Sequence, residues 1–577
     1  MDIGTTYSGV SYCLLDPGVV PEIKQVTRFP AQERIGSDAK IPSIIYYDRD
    51  GNVKAIGAEA EREGIIEMAE DQGWDLSKWF KLHLRPENSE SSSSVQTIHP
   101  LPPNKSAVTV LSDFIRYLMQ CTKSFIIQSM PDGASFWESV EDNIQFVLSH
   151  PNGWEGAQQS QMRRAAIQAG LISGSREDYG RIQFVTEGEA SLHYCLNNGC
   201  NVSRNGGIVI VDAGGGTVDL STYAKMDTKI TTFFKEISRP QCHFTGSIFV
   251  TFQARQYLQS KLANSHFLED IDHICQCFDR TTKFHFKNPD EMAFIKFGTT
   301  RDKDPNVGIR SGQMKIPGKD VAKFFEPSIN SIMKAIVSLL NEPTKEVNTA
   351  FLVGGFAASD YLFNKLADYL QPTGLQICRP QNHLNKAVAD GAVSFYLDHF
   401  VTCRIARWHY GVRMNKRYDK RDPEHMEREH TAYINVGGMR SIPDGFDIIL
   451  PKDTDVAETI EFRGKEYVRR FKDETYYKTH SLVYKILCYR GKIQKPKWTD
   501  VDAENFFTLC SVEADASQIP VKPQLHQGQV HYSIGYSIIL LFGLTELKAQ
   551  IAWSENGIEK RGPAQIVYDD DWSAQDD

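Results

Sequence analysis

The chain has 577 residues, of which 41% are apolar and 24% charged, the balance of a globular protein long enough for more than one domain. Acidic residues outnumber basic ones by 73 to 64, and the formal charge of −9 argues against non-specific binding to nucleic acid. No apolar run approaches the roughly 20 residues of a membrane span, and the first residues do not form a secretory signal. Scattered cysteines without a CxxC pair favour reduced thiols in a cytoplasmic protein.

The first segment contains an Asp-x-Gly turn suited to binding a phosphate. Asp2 precedes Gly4, and the hydroxyls and amides of Thr5, Thr6 and Tyr7 follow. Glycine lets the backbone approach an anion closely. Alone, such a turn is a weak signal.

Short apolar runs then alternate with amphipathic stretches as far as about residue 400, which predicts an α/β fold. The predicted strands cover residues 144–148, 208–211 and 349–353. The predicted helices, which alternate with them, cover residues 158–171, 324–340 and 360–370. Ser359 is the predicted cap of the last of these helices. A Ser-rich stretch within 86–105 predicts a surface loop.

The strongest motif follows the strand predicted at 208–211. It consists of an acid, consecutive glycines, a threonine and a second acid: Asp212, Gly214, Gly215, Gly216, Thr217 and Asp219. Consecutive glycines present backbone N–H groups to a phosphate, and Asp212 at a strand end can hold a hydrated Mg²⁺ ion. A glycine-rich turn with solvated aspartates is the alternative interpretation.

A third turn, Gly354-Gly355, joins the strand predicted at 349–353 to a helix, as at ligand sites of open α/β sheets. Many such turns are only tight connections. Phe356, the next residue, either stacks on a base or enters the core.

Beyond about residue 410 the pattern changes to strict alternation, over 530–542 and again over 547–553. Asn556-Gly557 predicts a tight hairpin turn. We therefore expect a β-rich C-terminal domain. The charged stretch 413–430 is interpreted as a solvated loop, or alternatively as a partner site.

Several of these segments resemble motifs of the actin-like ATPase superfamily, and most closely those of the seventy-kilodalton heat-shock protein family. The similar segments are DIGTTYS, DAGGGTVDLS, FVLSHPNGWEGAQQSQMRRAAIQAGLI with FVTEGEASLHYCL, TAFLVGGFAASDYLFNKL and QNHLNKAVADGAVSFYL, in which Gly391 permits close helix packing. The Ser-rich insertion, WFKLHL and the atypical C-terminus resemble the divergent member-12 branch, as found in fungal relatives.

The resemblance implies a two-lobed α/β fold of duplicated ribonuclease H-like domains. It implies a nucleotide-binding domain over 1–400, a β-rich domain over 401–568 and an acidic tail over 569–577. Because the family's first strand precedes the aspartate found here as Asp2, we expect this strand to be truncated. Either the start site lies upstream of Met1, which we favour, or the product is impaired.

The resemblance also implies ATP or ADP with Mg²⁺ as ligands. Asp2, Asp212 and Glu187 would hold the metal through water, and Thr217 and Asp219 would arrange the γ-phosphate and the attacking water. The remaining contacts to the nucleotide would come from Gly4, Thr5, Thr6, Tyr7, Gly214, Gly215, Gly216, Gly354, Gly355 and Phe356.

The family's catalytic lysine falls on Lys78 or Lys81, with Lys78 aligning better. The adenine-side basic residues have no clean counterpart, and Arg280 and Lys283 are candidates. The implied function is an ATP-hydrolysing, chaperone-like protein with nucleotide-driven lobe closure, whose partners are unfolded polypeptides or co-chaperones. A nucleotide-dependent scaffold with weak or no hydrolysis and a sugar-kinase-like phosphotransferase are the alternatives.

Overall fold

The computed structural model describes residues 1–32, 39–86, 98–175, 178–200, 202, 206–227, 232–341, 347–380, 384–457, 460–473, 481–515, 517, 519–526, 529–543, 546–562 and 565–567. Within these ranges the chain forms two compact units, the first made of residues 1–154 and 161–401 and the second of residues 155–160 and 402 onward. The Ser-rich stretch of the predicted loop and the predicted acidic tail lie outside the described residues.

The first lobe of the N-terminal unit combines short strands with a long helix that is buried on one face. Its elements are β1 (Asp2–Ile3), β2 (Tyr7–Gly9), β3 (Ser11–Tyr12), β4 (Lys24–Gln25), β5 (Lys40–Pro42), β6 (Ile44–Tyr47), β7 (Val53–Ile56), α1 (Ile65–Gln72), β8 (Asp75–Lys78), α2 (Ala107–Ser129), α3 (Gly133–Val140), β9 (Phe146–His150), α4 (Gly156–Ala169) and β10 (Ile182–Thr186). In this lobe β2 lies between β1 and β5, and β9 runs parallel to β10. Phe114 and Leu118 of α2 are fully buried and pack with Leu148 and Phe184 in one core, because apolar residues at helical spacing form one face of α2.

The second lobe is built on a parallel sheet extended by antiparallel strands. Its elements are α5 (Glu187–Asn197), β11 (Gly207–Ala213), β12 (Val218–Asp227), β13 (Thr232–Glu236), β14 (Gln241–His243), α6 (Ser247–Lys261), α7 (Ile271–Cys277), α8 (Lys283–His285), β15 (Met292–Lys296), β16 (Ile309–Arg310), β17 (Gln313–Pro317), α9 (Gly318–Leu340), β18 (Val347–Val353), α10 (Asp360–Leu370), β19 (Gln376–Cys378) and α11 (Ala387–Asp398). The strand order is β19–β18–β11–β12–β13, with β11 parallel to β18 and antiparallel to β12. The carboxyl ends of β11 and β18 therefore lie side by side, where ligands bind in open α/β sheets.

Most predicted elements of this unit are confirmed. β11 and β18 contain the strands predicted at 208–211 and 349–353, and α10 has the predicted bounds. Its cap is also confirmed, because the Ser359 hydroxyl accepts a hydrogen bond from the Leu362 amide at 3.3 Å. The strand predicted at 144–148 is displaced by two residues and runs from Phe146 to His150.

The second unit is rich in β-structure, as expected. Its elements are β20 (Val401–Ile405), β21 (His409–Arg417), α12 (Pro423–Glu427), β22 (Tyr433–Ile434), β23 (Arg440–Leu450), β24 (Asp455–Ala457), β25 (Glu461–Arg463), β26 (Tyr467–Phe471), β27 (Ser481–Tyr489), β28 (Phe506–Asp515), β29 (Lys522–His526), β30 (Gln529–Gly543), β31 (Glu546–Glu555), β32 (Ile558–Arg561) and β33 (Gln565–Val567). The predicted alternation corresponds to the β30–β31 hairpin, and Asn556-Gly557 turns into β32 with both φ angles positive, at 52° and 79°.

The interpretation of residues 413–430 as a loop is wrong in part. Arg413 to Arg417 belong to β21, and a helical turn, α12, follows. Arg413, Asn415 and Arg417 are exposed at alternate positions of β21, and Met414 and Lys416 between them are half-buried. Within the described ranges, no helix has both the length and the apolar character needed to cross a lipid bilayer.

Helices α5 and α11 make close backbone contact at Gly391. A Cβ atom there would lie 1.8 Å from the Ala190 carbonyl oxygen, so the helices would have to separate. We expect Gly391→Ala to lower the free energy of unfolding by about 2 kcal/mol or more, measured by urea denaturation of the full chain. Gly180→Ala is the matched control, because a Cβ at Gly180 meets nothing within 4 Å. Equal midpoints for the two variants would contradict this packing argument.

Candidate functional site

The floor of the site is formed by two acidic residues on neighbouring strands. Asp212 of β11 lies directly opposite Asp219 of β12 in the antiparallel register, so both side chains lie on the same face. Both are almost fully buried, at 4% and 1% exposure. The Asp212 carboxylate accepts a hydrogen bond from the Ser191 hydroxyl at 2.8 Å. One Asp219 oxygen accepts a hydrogen bond from the backbone amide of Asn152 at 2.5 Å, and the other oxygen has no hydrogen-bond partner.

The first lobe contributes Asp2, which is held from several sides. The Met1 amino group donates a hydrogen bond to the Val147 carbonyl, and the Met1 carbonyl accepts one from the Ser149 amide. Because β1 also pairs with β2, it is held by both β2 and β9. One oxygen of Asp2 accepts from the Ser149 hydroxyl at 3.2 Å, and the other lies 2.6 Å from the Lys40 ammonium group. The carboxylate is thus fixed in position.

Glu187 is the first residue of α5, directly after β10. Thr186 caps the helix by accepting a hydrogen bond from the Glu189 amide at 3.2 Å. The Glu187 carboxylate lies 2.5 Å from the Lys81 ammonium group, and the exposed fractions of the two side chains are 12% and 5%. A buried pair of this kind is strongly destabilised when one partner is removed.

The turns predicted to bind phosphate meet one another. A Cβ atom at Gly215 would lie 2.2 Å from the Thr6 hydroxyl oxygen, and one at Gly216 would lie 2.5 Å from that of Thr5. At Gly354, where φ is 90°, a Cβ would lie 2.4 Å from an Asp212 carboxylate oxygen. The three turns therefore converge on one site, and glycine is required because any side chain would collide.

The phosphate turn of the second lobe is held from behind by α6. The carbonyls of Gly214 and Gly215 accept hydrogen bonds from the amides of Ser247 and Ile248, at 3.1 and 2.9 Å. Gly246 must also be glycine, because a Cβ there would lie 2.4 Å from the Gly215 carbonyl oxygen. The turn is thus pre-formed.

The carboxylates of the site repel one another. Burial, with the nearby Glu187 charge, raises the pKa of Asp212 to about 7. The same two causes raise the pKa of Asp219 well above its ordinary value. For Asp2 burial acts in the same direction, but Lys40 and Lys81 outweigh it and lower the pKa. Negative charge is therefore in excess around Asp212 and Asp219.

This excess fits a hydrated cation at Asp212 and Asp219. The unpartnered oxygen of Asp219 is available to a water ligand, whereas Asp2 and Glu187 already pair with lysines. In the part of the chain that the structure describes, no group of three His, Cys, Asp or Glu side chains is close enough to bind a metal directly. The excess charge and the unpartnered Asp219 oxygen suit an ion bound through its waters, the mode that Mg²⁺ favours.

Some predicted residues lie elsewhere. Lys78 ends β8, and Trp79 then turns the chain with φ of 58°, so Lys78 and Lys81 diverge. The charged neighbours of Lys78 include Asp272 and Arg255 of the second lobe, and burial lowers its pKa. The structure therefore brings Lys81, and not Lys78, to the acidic cluster.

Phe356 is fully buried and stacks on Phe325 within the second-lobe core. It is not placed to stack on a base, because no part of its ring is exposed. Tyr7 and Gly355 are exposed. Of the adenine-side candidates, Lys283 is buried beside Asp279, and Arg280 pairs with the first-lobe residue Glu61 at 2.8 Å.

Lys40, Ser191 and Asn152 were missed from the sequence. Their roles depend on strand register and on contacts between distant segments, which no local pattern reveals. The sequence carried a usable signal at Lys81, because its neighbours Phe80 and Leu82 are apolar. The structure buries both of them. An ammonium group in such surroundings needs a carboxylate partner.

The fold is the two-lobed α/β fold of the actin-like ATPases, followed by a β-rich region. No protein-family model matches the chain. It is 24% identical over 550 residues to heat shock 70 kDa protein 12A of Mus musculus, covering 79% of this chain and 77% of that protein. The identity to heat shock 70 kDa protein 12B of Homo sapiens is 21% over 480 residues, 68% of each chain. The chain is thus a distant relative of heat shock 70 kDa proteins 12A and 12B, in agreement with the family resemblance of its sequence motifs.

Replacing Asp212 should stabilise the protein when neither nucleotide nor divalent cation is present. Asp212→Asn removes a repelled charge and can keep the bond from Ser191, so we expect about 1–3 kcal/mol of added stability. A carboxyl group whose pKa is raised from 3.8 to about 7 loses stability as pH rises through that range. The gain should therefore be absent below about pH 4 and complete above about pH 7.

Thermal unfolding of the full chain across that pH range is the measurement. Asp360→Asn is the control, because Asp360 pairs with Lys287 and Arg379, both at 2.9 Å, which lowers its pKa. It should be neutral or slightly destabilising. A lower unfolding temperature for Asp212→Asn at pH 7 would contradict the electrostatic account.

Proposed function

We propose that residues 1–400 bind ATP with hydrated Mg²⁺ and hydrolyse it to ADP and phosphate. The observation that carries this proposal is the convergence of Asp2, Asp212 and Gly354 with their turns on one acidic, glycine-lined site. Kinship with heat-shock 70 proteins supports nucleotide binding. The C-terminal residues 401–568 would form a separate domain.

The phosphate groups would bind between the two lobes' turns. Thr5 and Thr6 would offer hydroxyl groups from one side, and Gly215 and Gly216 would offer backbone amides from the other. The Gly214 amide already donates to the Thr217 carbonyl at 2.9 Å, so it holds the shape of the turn. Because α6 holds this turn, its donors need little reorganisation when an anion binds. Gly354, whose backbone lies against Asp212, would contact the nucleoside.

Asp212 would hold the hydrated metal ion, because the nearby acids Asp2 and Glu187 already pair with lysines. When bound, Mg²⁺ would neutralise charge on the β- and γ-phosphates. Thr217, directly before β12, and Asp219, within β12, would orient the attacking water. The unpartnered oxygen of Asp219 supports this role, because it can accept a proton-bearing ligand.

Lys81 is the proposed catalytic lysine. It is buried beside Glu187, within the electrostatic reach of both Asp2 and Asp219. Phosphoryl transfer depends mainly on positioning and charge neutralisation. A γ-phosphate in this site would compete with Glu187 for the Lys81 ammonium group and gain a fixed positive charge.

We further propose a chaperone-like cytoplasmic role, in which nucleotide state changes the closure of the two lobes. The Arg280–Glu61 pair supports such a motion, because it joins the lobes through partly exposed side chains that can separate at little cost. Unfolded polypeptides or co-chaperones would be the partners.

The decisive experiment compares two lysine variants. We expect Lys81→Met to slow single-turnover ATP hydrolysis by about 100-fold or more, because it removes the fixed charge near the γ-phosphate. Lys78→Met should hydrolyse ATP almost as fast as wild type, since Lys78 lies away from the cluster. Release of labelled phosphate measures both. Loss of turnover in Lys78→Met alone would refute the assignment.

Equilibrium binding separates hydrolysis from binding. ATP and ADP titrations by calorimetry, with and without Mg²⁺, should show binding to wild type and to Lys81→Met. Gly215→Val should lose at least about tenfold in affinity, because its side chain would collide with Thr6. Tight binding without turnover in wild type would instead favour a nucleotide-dependent scaffold.

A further inference from the structure

Three residues lie in one row across the first-lobe sheet. Asp2 of β1 is paired with Gly9 of β2, and Gly9 is paired with Lys40 of β5. Residues that are directly opposite in neighbouring strands present their side chains on the same face. Asp2 and Lys40 are therefore on the same face, separated by the full width of the middle strand.

The Lys40 side chain crosses β2 to reach Asp2. Two strand spacings amount to about 10 Å, yet the Lys40 ammonium group lies 2.6 Å from the Asp2 carboxylate. Gly9 makes this path possible, because a Cβ there would lie 3.0 Å from the Lys40 Cγ atom. The same Cβ would lie 2.7 Å from the Ala39 carbonyl oxygen.

The resulting ion pair is buried, and each oxygen of Asp2 has a partner. The side chain of Asp2 is 4% exposed and that of Lys40 is 14% exposed. The second oxygen of Asp2 is taken by the Ser149 hydroxyl. A hydrated metal ion at Asp2 would therefore meet a carboxylate whose charge Lys40 already neutralises, and drawing Asp2 away from Lys40 is unfavourable because parting a buried ion pair leaves a buried charge.

We propose that Lys40 is a built-in counter-ion that takes the place of a divalent cation at Asp2. This inference rests on the proposed function for its nucleotide consequence, but not for its effect on the protein alone. The metal-facing carboxylates are then Asp212 and Asp219, and the Asp2 side of the phosphate site is neutralised by the chain itself. Nucleotide binding consequently depends less on Mg²⁺ than it would if Asp2 were unpaired.

The first test measures thermal unfolding with and without millimolar Mg²⁺ in the absence of nucleotide. Lys40→Gln leaves Asp2 buried without a cation, so Mg²⁺ should raise its unfolding temperature more than that of wild type. The double variant Asp2→Asn/Lys40→Gln should return to the wild-type response. Lys24→Gln is the control, because Lys24 is an exposed lysine paired with Glu22 on the neighbouring hairpin.

Asp2→Asn in the otherwise unchanged chain supplies an independent reading. Because Lys40 already occupies this carboxylate, the variant should keep the wild-type response to Mg²⁺. An equal Mg²⁺ effect in Lys40→Gln and wild type, or a lost effect in Asp2→Asn, would overturn the inference. If Lys40→Gln folds only with Mg²⁺, the inference is supported. If Mg²⁺ does not restore folding of Lys40→Gln, the metal cannot replace the lysine and the inference fails.

The second test uses ADP. The ratio of its affinities with and without Mg²⁺ should rise at least about fivefold in Lys40→Gln relative to wild type. An unchanged ratio would count against Lys40 as a substitute for metal. If wild type binds no ADP under either condition, the proposed nucleotide function fails, whereas the unfolding experiment still decides the role of Lys40.

Discussion

The structure depends on the concentration of negative charge where β11 ends and β12 begins. Register places Asp212 opposite Asp219, and α5 brings Glu187 close enough to raise the pKa of both. Carboxylates that are buried together destabilise a fold unless other groups compensate. Lys40 and Lys81 each neutralise one acid, but around the Asp212–Asp219 pair the compensation is incomplete. The repulsion that remains between Asp212 and Asp219 favours the binding of a positive charge beside them.

Close backbone packing is the second constraint on the site. Gly215 and Gly354 carry no side chain because hydroxyl, carboxylate and carbonyl oxygens of other segments occupy that space. The same requirement recurs at Gly391, where two helices touch. Loops that contact each other so closely cannot drift independently, so the geometry of the charged groups is kept by sterics as well as by hydrogen bonds.

The sequence predicted what depends on local pattern. The buried strand before Asp212, the capped helix after Ser359 and the alternation of β30 and β31 all follow from side-chain period and capping chemistry. The glycine turns also came together as the motifs implied. These features were accessible because the information lies within about ten residues of chain.

What the sequence could not provide depends on distant segments. Lys40 reaches Asp2 only through the register of β1, β2 and β5. The turn at Trp79 places Lys81, and not Lys78, at the acidic cluster, and no propensity for tryptophan suggests its positive φ. Phe356 was ambiguous for a similar reason, because whether an aromatic residue after a glycine turn enters a core depends on what packs against it, here Phe325.

Helix α5 has a further property. Every residue from Gly188 to Cys195 is buried, so this helix has no solvent-facing side along that span. Its amide protons can exchange with heavy water only when the surrounding elements part. The rate of hydrogen exchange in this segment, followed by mass spectrometry, therefore reports how often the N-terminal unit opens.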